Sequence, residues 1–257
     1  TGYVHDHGFE LVKDRSDELR RSLVKNGANF IVSFLDEGSG PDRRLNIPTH
    51  QESAENYRYL LERLLEDPSL GLIFKPKKPS DIRQRLGSVC KLLDLGLSTG
   101  RCHIFEEGTA SSRTLPCEAT LASDVSIGFL LTGTASLESR LAGTPTILVD
   151  PYLTPYHPFN VLPAGSVVFE GWDTLWEGIT KYRSDPDSNL NFGDWGPIIQ
   201  NLDPFRDGQS AERIAGYLSS VAIGLTDKLS RDDALESANT NYVRRFGEDK
   251  VFQCARR

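Results

Sequence analysis

Apolar positions along this chain alternate between two kinds of run. Residues 29–35, 71–74, 102–105, 125–130, 146–149 and 167–169 are short and dense in Val, Ile, Leu, Phe and Cys, and predict six strands. They are close to continuously apolar rather than alternating, the pattern of strands covered on both faces. Between them the period lengthens. Residues 8–26 place Leu19, Leu23 and Val24 on one side of a charged helix. Residues 51–66 set Tyr57, Leu60, Leu61 and Leu64 at i, i+3, i+4 and i+7. Further helices are predicted over 80–95 with Ser80 or Asp81 as cap, over 116–121, 135–141 (stopped by Gly143), 173–182, 209–223 and 227–244. Residues 38–50, rich in Gly, Pro and Arg, read as a mobile loop, and no internal repeat is visible.

Strands separated by helices predict an α/β fold with a parallel sheet of about six strands and helices on both faces, followed by C-terminal helices. Ligands of such sheets sit at the carboxyl ends of the strands. The informative loops are therefore 36–50, 75–80, 106–115, 131–136 and 150–160.

Composition narrows the partners. A net charge of -7 over 257 residues argues against nucleic acid or an anionic membrane as the main partner. No apolar run approaches about 20 residues, so no transmembrane segment is expected. Cys90, Cys102, Cys117 and Cys254 form no C-x-x-C pair, which predicts free thiols in a cytoplasmic protein and no metal centre. His5 and His7 flank Asp6, too few ligands for a metal. The chain starts Thr1-Gly2-Tyr3 and contains no Met, which reads as a fragment.

The strongest candidate for chemistry is the turn Thr132-Gly133-Thr134-Ala135-Ser136, which opens a helix after the fourth strand. Free amides, small residues and the positive end of a helix dipole suit a phosphate; the same residues also make an ordinary capped turn. Lys75 ends the second strand and is the best placed cation of Lys75, Lys77 and Lys78, a run that otherwise reads as solvated loop. Glu107 follows the third strand, where a carboxylate can read a nucleobase or simply face water. His157, in a proline-stiffened aromatic loop, is a candidate for proton transfer or phosphate contact.

Several of these stretches together resemble the C-terminal, nucleotide-sugar-binding domain of GT-B glycosyltransferases, of the kind that builds bacterial surface and capsular polysaccharides. The segment 132–145, TGTASLESRLAGTP, is similar to their S-G-T-x-x-L-E-x-x-x-x-G-x-P signature. Ile73-Phe74-Lys75-Pro76 is similar to a strand-ending K-P-H-P, with Lys77 in place of the histidine, and residues 203–209 resemble a stretch that precedes the last helices. Asp36-Glu37-Gly38 resembles an acidic catalytic motif of some sialyltransferases, where it belongs to the other domain.

The resemblance implies a Rossmann-like domain over 28–225, preceded by an interdomain segment at 1–27 and followed by a helical tail at 226–257. It implies a metal-independent transferase without a cofactor, taking a UDP- or CMP-linked sugar to a glycan acceptor. Thr132 to Ser136 and Lys75 would hold the nucleotide and Glu138 the ribose, with the catalytic base on the missing domain; within this chain Asp36 and His157 stand as the candidates for catalysis. It also implies that an N-terminal acceptor domain is missing, and a cytoplasmic location that reaches the inner membrane through partners. A nucleotide-sugar 2-epimerase and a non-catalytic nucleotide-binding module remain as alternatives.

Overall fold

The computed structural model describes residues 1–42, 47–105 and 115–251. Six strands, β1 (Phe30–Leu35), β2 (Leu70–Lys75), β3 (Cys102–Ile104), β4 (Val125–Phe129), β5 (Thr146–Val149) and β6 (Val168–Phe169), pair in the order β3-β2-β1-β4-β5-β6. Every pairing is parallel, with Val32 opposite both Leu72 and Val125. The helices among the described residues are α1 (His7–Lys25), α2 (His50–Glu66), α3 (Ile82–Leu86), α4 (Cys90–Ser98), α5 (Pro116–Leu121), α6 (Thr134–Leu141), α7 (Trp172–Ser184), α8 (Pro197–Leu202), α9 (Ser210–Thr226) and α10 (Arg231–Phe246).

The period-2 geometry of the strands divides the core into two layers. Val32 and Phe34 of β1 with Leu72 and Phe74 of β2 face one way, onto Tyr57, Leu60, Leu61 and Leu64 of α2, Leu93 of α4 and Leu175 of α7. Ile31 and Ile73 face the other way, onto Leu23 of α1 and Ala119 of α5. Both faces are covered, which explains why the strands read as unbroken apolar runs. This is an α/β sheet of the Rossmann-like, doubly wound kind.

The chain divides into two compact units, residues 11–196 and residues 1–10 with 197–257. The first holds the whole sheet. In the second, α9 and α10 form a hairpin closed by small residues: a Cβ on Gly224 would stand 2.9 Å from the Cβ of Ala234. Asp6 accepts a hydrogen bond from Ser210 Oγ at 2.9 Å, and Arg213 pairs with Asp207 and lies over the Phe205 ring at 3.6 Å. Ser210 is the first helical residue of α9, and the 203–209 stretch belongs to this second unit.

Two local expectations change. The single helix over 80–95 is broken at Gly87, whose φ of +54° takes the chain out of the helix, so α3 and α4 are separate. Neither Ser80 nor Asp81 caps α3 through its side chain. Asp81 instead accepts from Arg85 Nε at 3.0 Å. The loop 38–50 ends in a capping box: Thr49 Oγ1 accepts from the Glu52 amide at 3.2 Å, and Glu52 Oε2 from the Thr49 amide at 2.8 Å. A parallel bridge between Gly40 and Thr49 closes that loop on itself.

Candidate functional site

The strand order reverses between β1 and β4. After β1 the chain moves toward β2, and after β4 it moves toward β5, so the loops leaving these two neighbours diverge and open a crevice at their carboxyl ends. A cleft of about 450 Å³ occupies this position, lined by Glu37, Gly38 and Ser39 after β1, Lys77 and Lys78 after β2, and Thr132 after β4. All of these residues belong to the unit 11–196.

The β4 side is the start of α6. Gly133 is its N-cap and provides no side-chain cap, so the amides of Thr134, Ala135 and Ser136 open the helix. Thr134 is exposed and Ala135 half-buried. Ser136 is buried because β4 makes room for it: a Cβ on Gly128 would stand 2.0 Å from Ser136 Oγ. That hydroxyl packs the helix on the sheet. The Thr132 hydroxyl oxygen is buried with no hydrogen-bond partner among the described residues.

Gly133 packs under the ring of Phe159, and Phe159 in turn meets the buried Trp195 edge-on at 4.9 Å between centroids. Trp195 Nε1 donates to the Thr146 carbonyl at 2.9 Å. The turn is thereby braced from behind by the loop after β5. His157 belongs to that brace: its Nδ1 accepts from the Phe159 amide at 3.2 Å, capping a 3₁₀ turn at Pro158–Val161. This fixes the tautomer, with the proton on Nε2.

The β1 side is organised by Arg85. Its side chain and that of Asp36 are 2% and 3% exposed, and the two pair at 2.9 Å. Burial pushes the Asp36 carboxyl up to about 6 in spite of Arg85, which pulls the other way. The fully buried Tyr57 hydroxyl lies near enough to interact with Asp36 electrostatically without completing a well-formed hydrogen bond. Asp36 is thus closed off beneath the cleft. Glu37, the next residue, reaches the cleft and pairs with Lys77 at 2.9 Å. Lys77, at the place of the histidine in the similar K-P-H-P, balances a carboxylate.

Lys75 and Glu138 are close enough to interact electrostatically on the side of the sheet covered by α5 and α6. Burial lowers the Lys75 pKa, while the nearby Glu118 and Glu138 carboxylates raise it. Glu138 Oε1 accepts from the Cys117 amide at 3.1 Å, at the start of α5. Glu118 pairs with Arg15 at 2.9 Å. Glu107 lies outside the described residues.

Arg85 escaped the sequence reading, though a signal exists. It sits three residues after Ile82 and four before Val89, both buried, which puts a charge on the inward side of an apolar frame. Such a charge needs a buried partner. Among the described residues no group of three or more His, Cys, Asp or Glu is placed to hold a metal, and no helix is long and apolar enough to cross a membrane. No protein-family model matches the chain, and no curated protein matches its sequence.

Proposed function

We propose that the unit 11–196 binds the phosphate or diphosphate of a nucleotide-activated sugar at the β1/β4 crevice, as the donor-binding half of a metal-independent GT-B glycosyltransferase. The observation that carries this is the start of α6: its three first-turn amides follow Thr132, which lines the crevice and whose hydroxyl has no hydrogen-bond partner among the described residues. Sugar transfer leaves charge on a departing nucleoside diphosphate, or on a monophosphate where the donor is CMP-linked. Amides and a helix dipole stabilise that charge without a metal ion. The ammonium of Lys75, carried at the end of β2, supplies long-range attraction for the same anion. The resemblance of residues 132–145 to the transferase signature supports a UDP- or CMP-linked sugar as donor. It also supports a glycan acceptor held by another domain, in a cytoplasmic protein that meets the inner membrane through partners.

Within this reading Asp36 is a positioning residue, since its carboxyl is engaged by Arg85. His157 keeps only Nε2 for chemistry, because Nδ1 caps the following turn. These two engagements favour, as a second reading, a unit that binds the nucleotide and performs no transfer by itself. Calorimetric titration with UDP-, CMP- and GDP-sugars tests the first reading. Binding of one of them, abolished by Gly133→Asp, is expected. Absence of binding to all three, or an affinity that Gly133→Asp leaves unchanged, would remove it.

A further inference from the structure

The crevice has two walls on the β1 side, the loop after β1 and the loop after β2, and one side chain is bonded to both. Arg85 Nη2 donates to Asp36 Oδ2 at 2.9 Å and to the Lys78 carbonyl at 3.4 Å. Its Nη1 donates to Ser39 Oγ at 3.0 Å and reaches the Glu37 carbonyl at 3.4 Å. Its Nε is held by Asp81. A third element joins through Ser53 of α2, whose Oγ lies 3.4 Å from Nη1. A guanidinium has five donors in a rigid plane, and here they are spread over two loops and a helix. A lysine offers one compact charge at the end of a flexible stem and cannot hold this set at once.

We propose that Arg85, with Asp36 as its anchor, is a latch that makes the loops after β1 and β2 open and close as one, and so sets the shape of the crevice. That the crevice takes a nucleotide sugar rests on the preceding reading; the coupling of its two loops does not.

The charged and titratable groups around the anchor are few. Arg85 faces Asp36 from α3 and Tyr57 faces it from α2. Glu37 stands beside it on the same loop and is itself paired with Lys77 of the β2 loop. Asp81 shares Arg85, His50 at the start of α2 bonds Ser39 Oγ through Nδ1 at 2.9 Å, and Glu52 is held in the Thr49 cap. Burial raises the Asp36 pKa to about 6 in the closed latch, against an ordinary value near 3.8 when the loop is open and the carboxyl wet. The closed form therefore holds the proton more tightly. It is favoured as pH falls through about 6 and loses that advantage as pH rises through it.

Amide hydrogen exchange without any ligand reads the latch directly. The amides of Asp36 (bonded to Lys75 O) and Gly40 (bonded to Pro48 O) report on the first loop, and that of Ile82 (bonded to Pro79 O) on the second. After correction for intrinsic exchange, the latch predicts that protection at all three falls together as pH rises from 5 to 7. It predicts that Asp36→Asn removes this pH step. It also predicts that Arg85→Lys speeds all three amides by about tenfold or more at constant pH, while the Ile31 amide deep in β1 changes far less. If only one loop responds in Arg85→Lys, or the pH step survives in Asp36→Asn, the latch is wrong. The wild-type pH series stands by itself if Arg85→Lys does not fold: three amides that follow different pH courses overturn the coupling. A latch that behaves as stated in a protein that binds no nucleotide sugar would leave the coupling intact and remove only the functional reading.

Discussion

The ring of Phe159 occupies the place where a side chain on Gly133 would stand: a Cβ there would come within 2.5 Å of the ring. The backbone at Gly133 has φ -65° and ψ 8°, open to any residue, so the requirement for glycine is one of space. Gly133→Ala is expected to cost about 1–3 kcal/mol by overpacking, measured by urea unfolding. Phe159→Ala in the same chain should recover part of that loss. A Gly133→Ala protein as stable as the parent, or a double variant whose losses simply add, would show that the ring yields freely.

Asp36 gives the chain a pH dependence with a definite sign. Its folded-state pKa of about 6 lies above the ordinary 3.8, so the folded chain binds the proton more tightly than the unfolded one. This group's contribution is greatest at the acid end and is lost as pH rises from about 4 to about 6, a change of up to about 3 kcal/mol at 1.36 kcal/mol per pKa unit. Urea midpoints of the parent and of Asp36→Asn should differ in slope over that window. Parallel curves would contradict the assignment.

Asp67 works in the opposite direction. Burial disfavours its charge, but hydrogen bonds from Ser69 at 2.6 Å and Arg183 at 2.5 Å outweigh this and hold the carboxyl down to about 2. A depressed carboxylate contributes above its unfolded pKa and loses that contribution as pH falls, here between about 4 and 2. Asp67→Asn should therefore be less stable than the parent at neutral pH, with the gap closing toward pH 2. A gap that widens on acidification would refute the pairing with Arg183.

Lys75 is half-buried and makes no salt bridge among the described residues, close to two carboxylates that already serve α5 and Arg15. Its desolvation is a stability cost, so Lys75→Met is expected to leave the fold as stable as the parent or slightly more so. The same change should weaken nucleotide-sugar binding by roughly tenfold, the size of one lost cation–phosphate attraction of about 1.4 kcal/mol. Unchanged affinity would take Lys75 out of the donor site.

Much of the architecture was legible because it rests on local signals. The six apolar runs became the six strands, and the helix over 51–66 came from a clean 3.6 period at Tyr57, Leu60, Leu61 and Leu64. Thr49 and Glu52 also had a readable capping spacing, but the surrounding glycines and prolines favoured a loop reading up to residue 50. The strand order was not written in any one segment: β1 beside β4 is a pairing across 93 residues of chain, set by how the crossovers pack. The site was legible only in outline. The turn at 132–136 stands at the carboxyl end of β4 beside the crevice, yet what holds it is Phe159. Asp36 and His157 stood as candidates because the local pattern does not show that Arg85 takes up the one and the Phe159 amide the other. Side chains that use up a polar group from far along the chain are the part that local pattern does not carry.

The proposed donor site puts the phosphate of a nucleotide-activated sugar on the start of α6. Backbone amide NMR shifts during titration with a UDP- or CMP-linked sugar test it most directly. Thr132, Thr134, Ala135 and Ser136 are expected to shift first and furthest, with smaller changes at Glu37 and Gly38. Saturable binding whose largest shifts lie away from residues 132–136, or no shift there at any concentration of either donor, would contradict it.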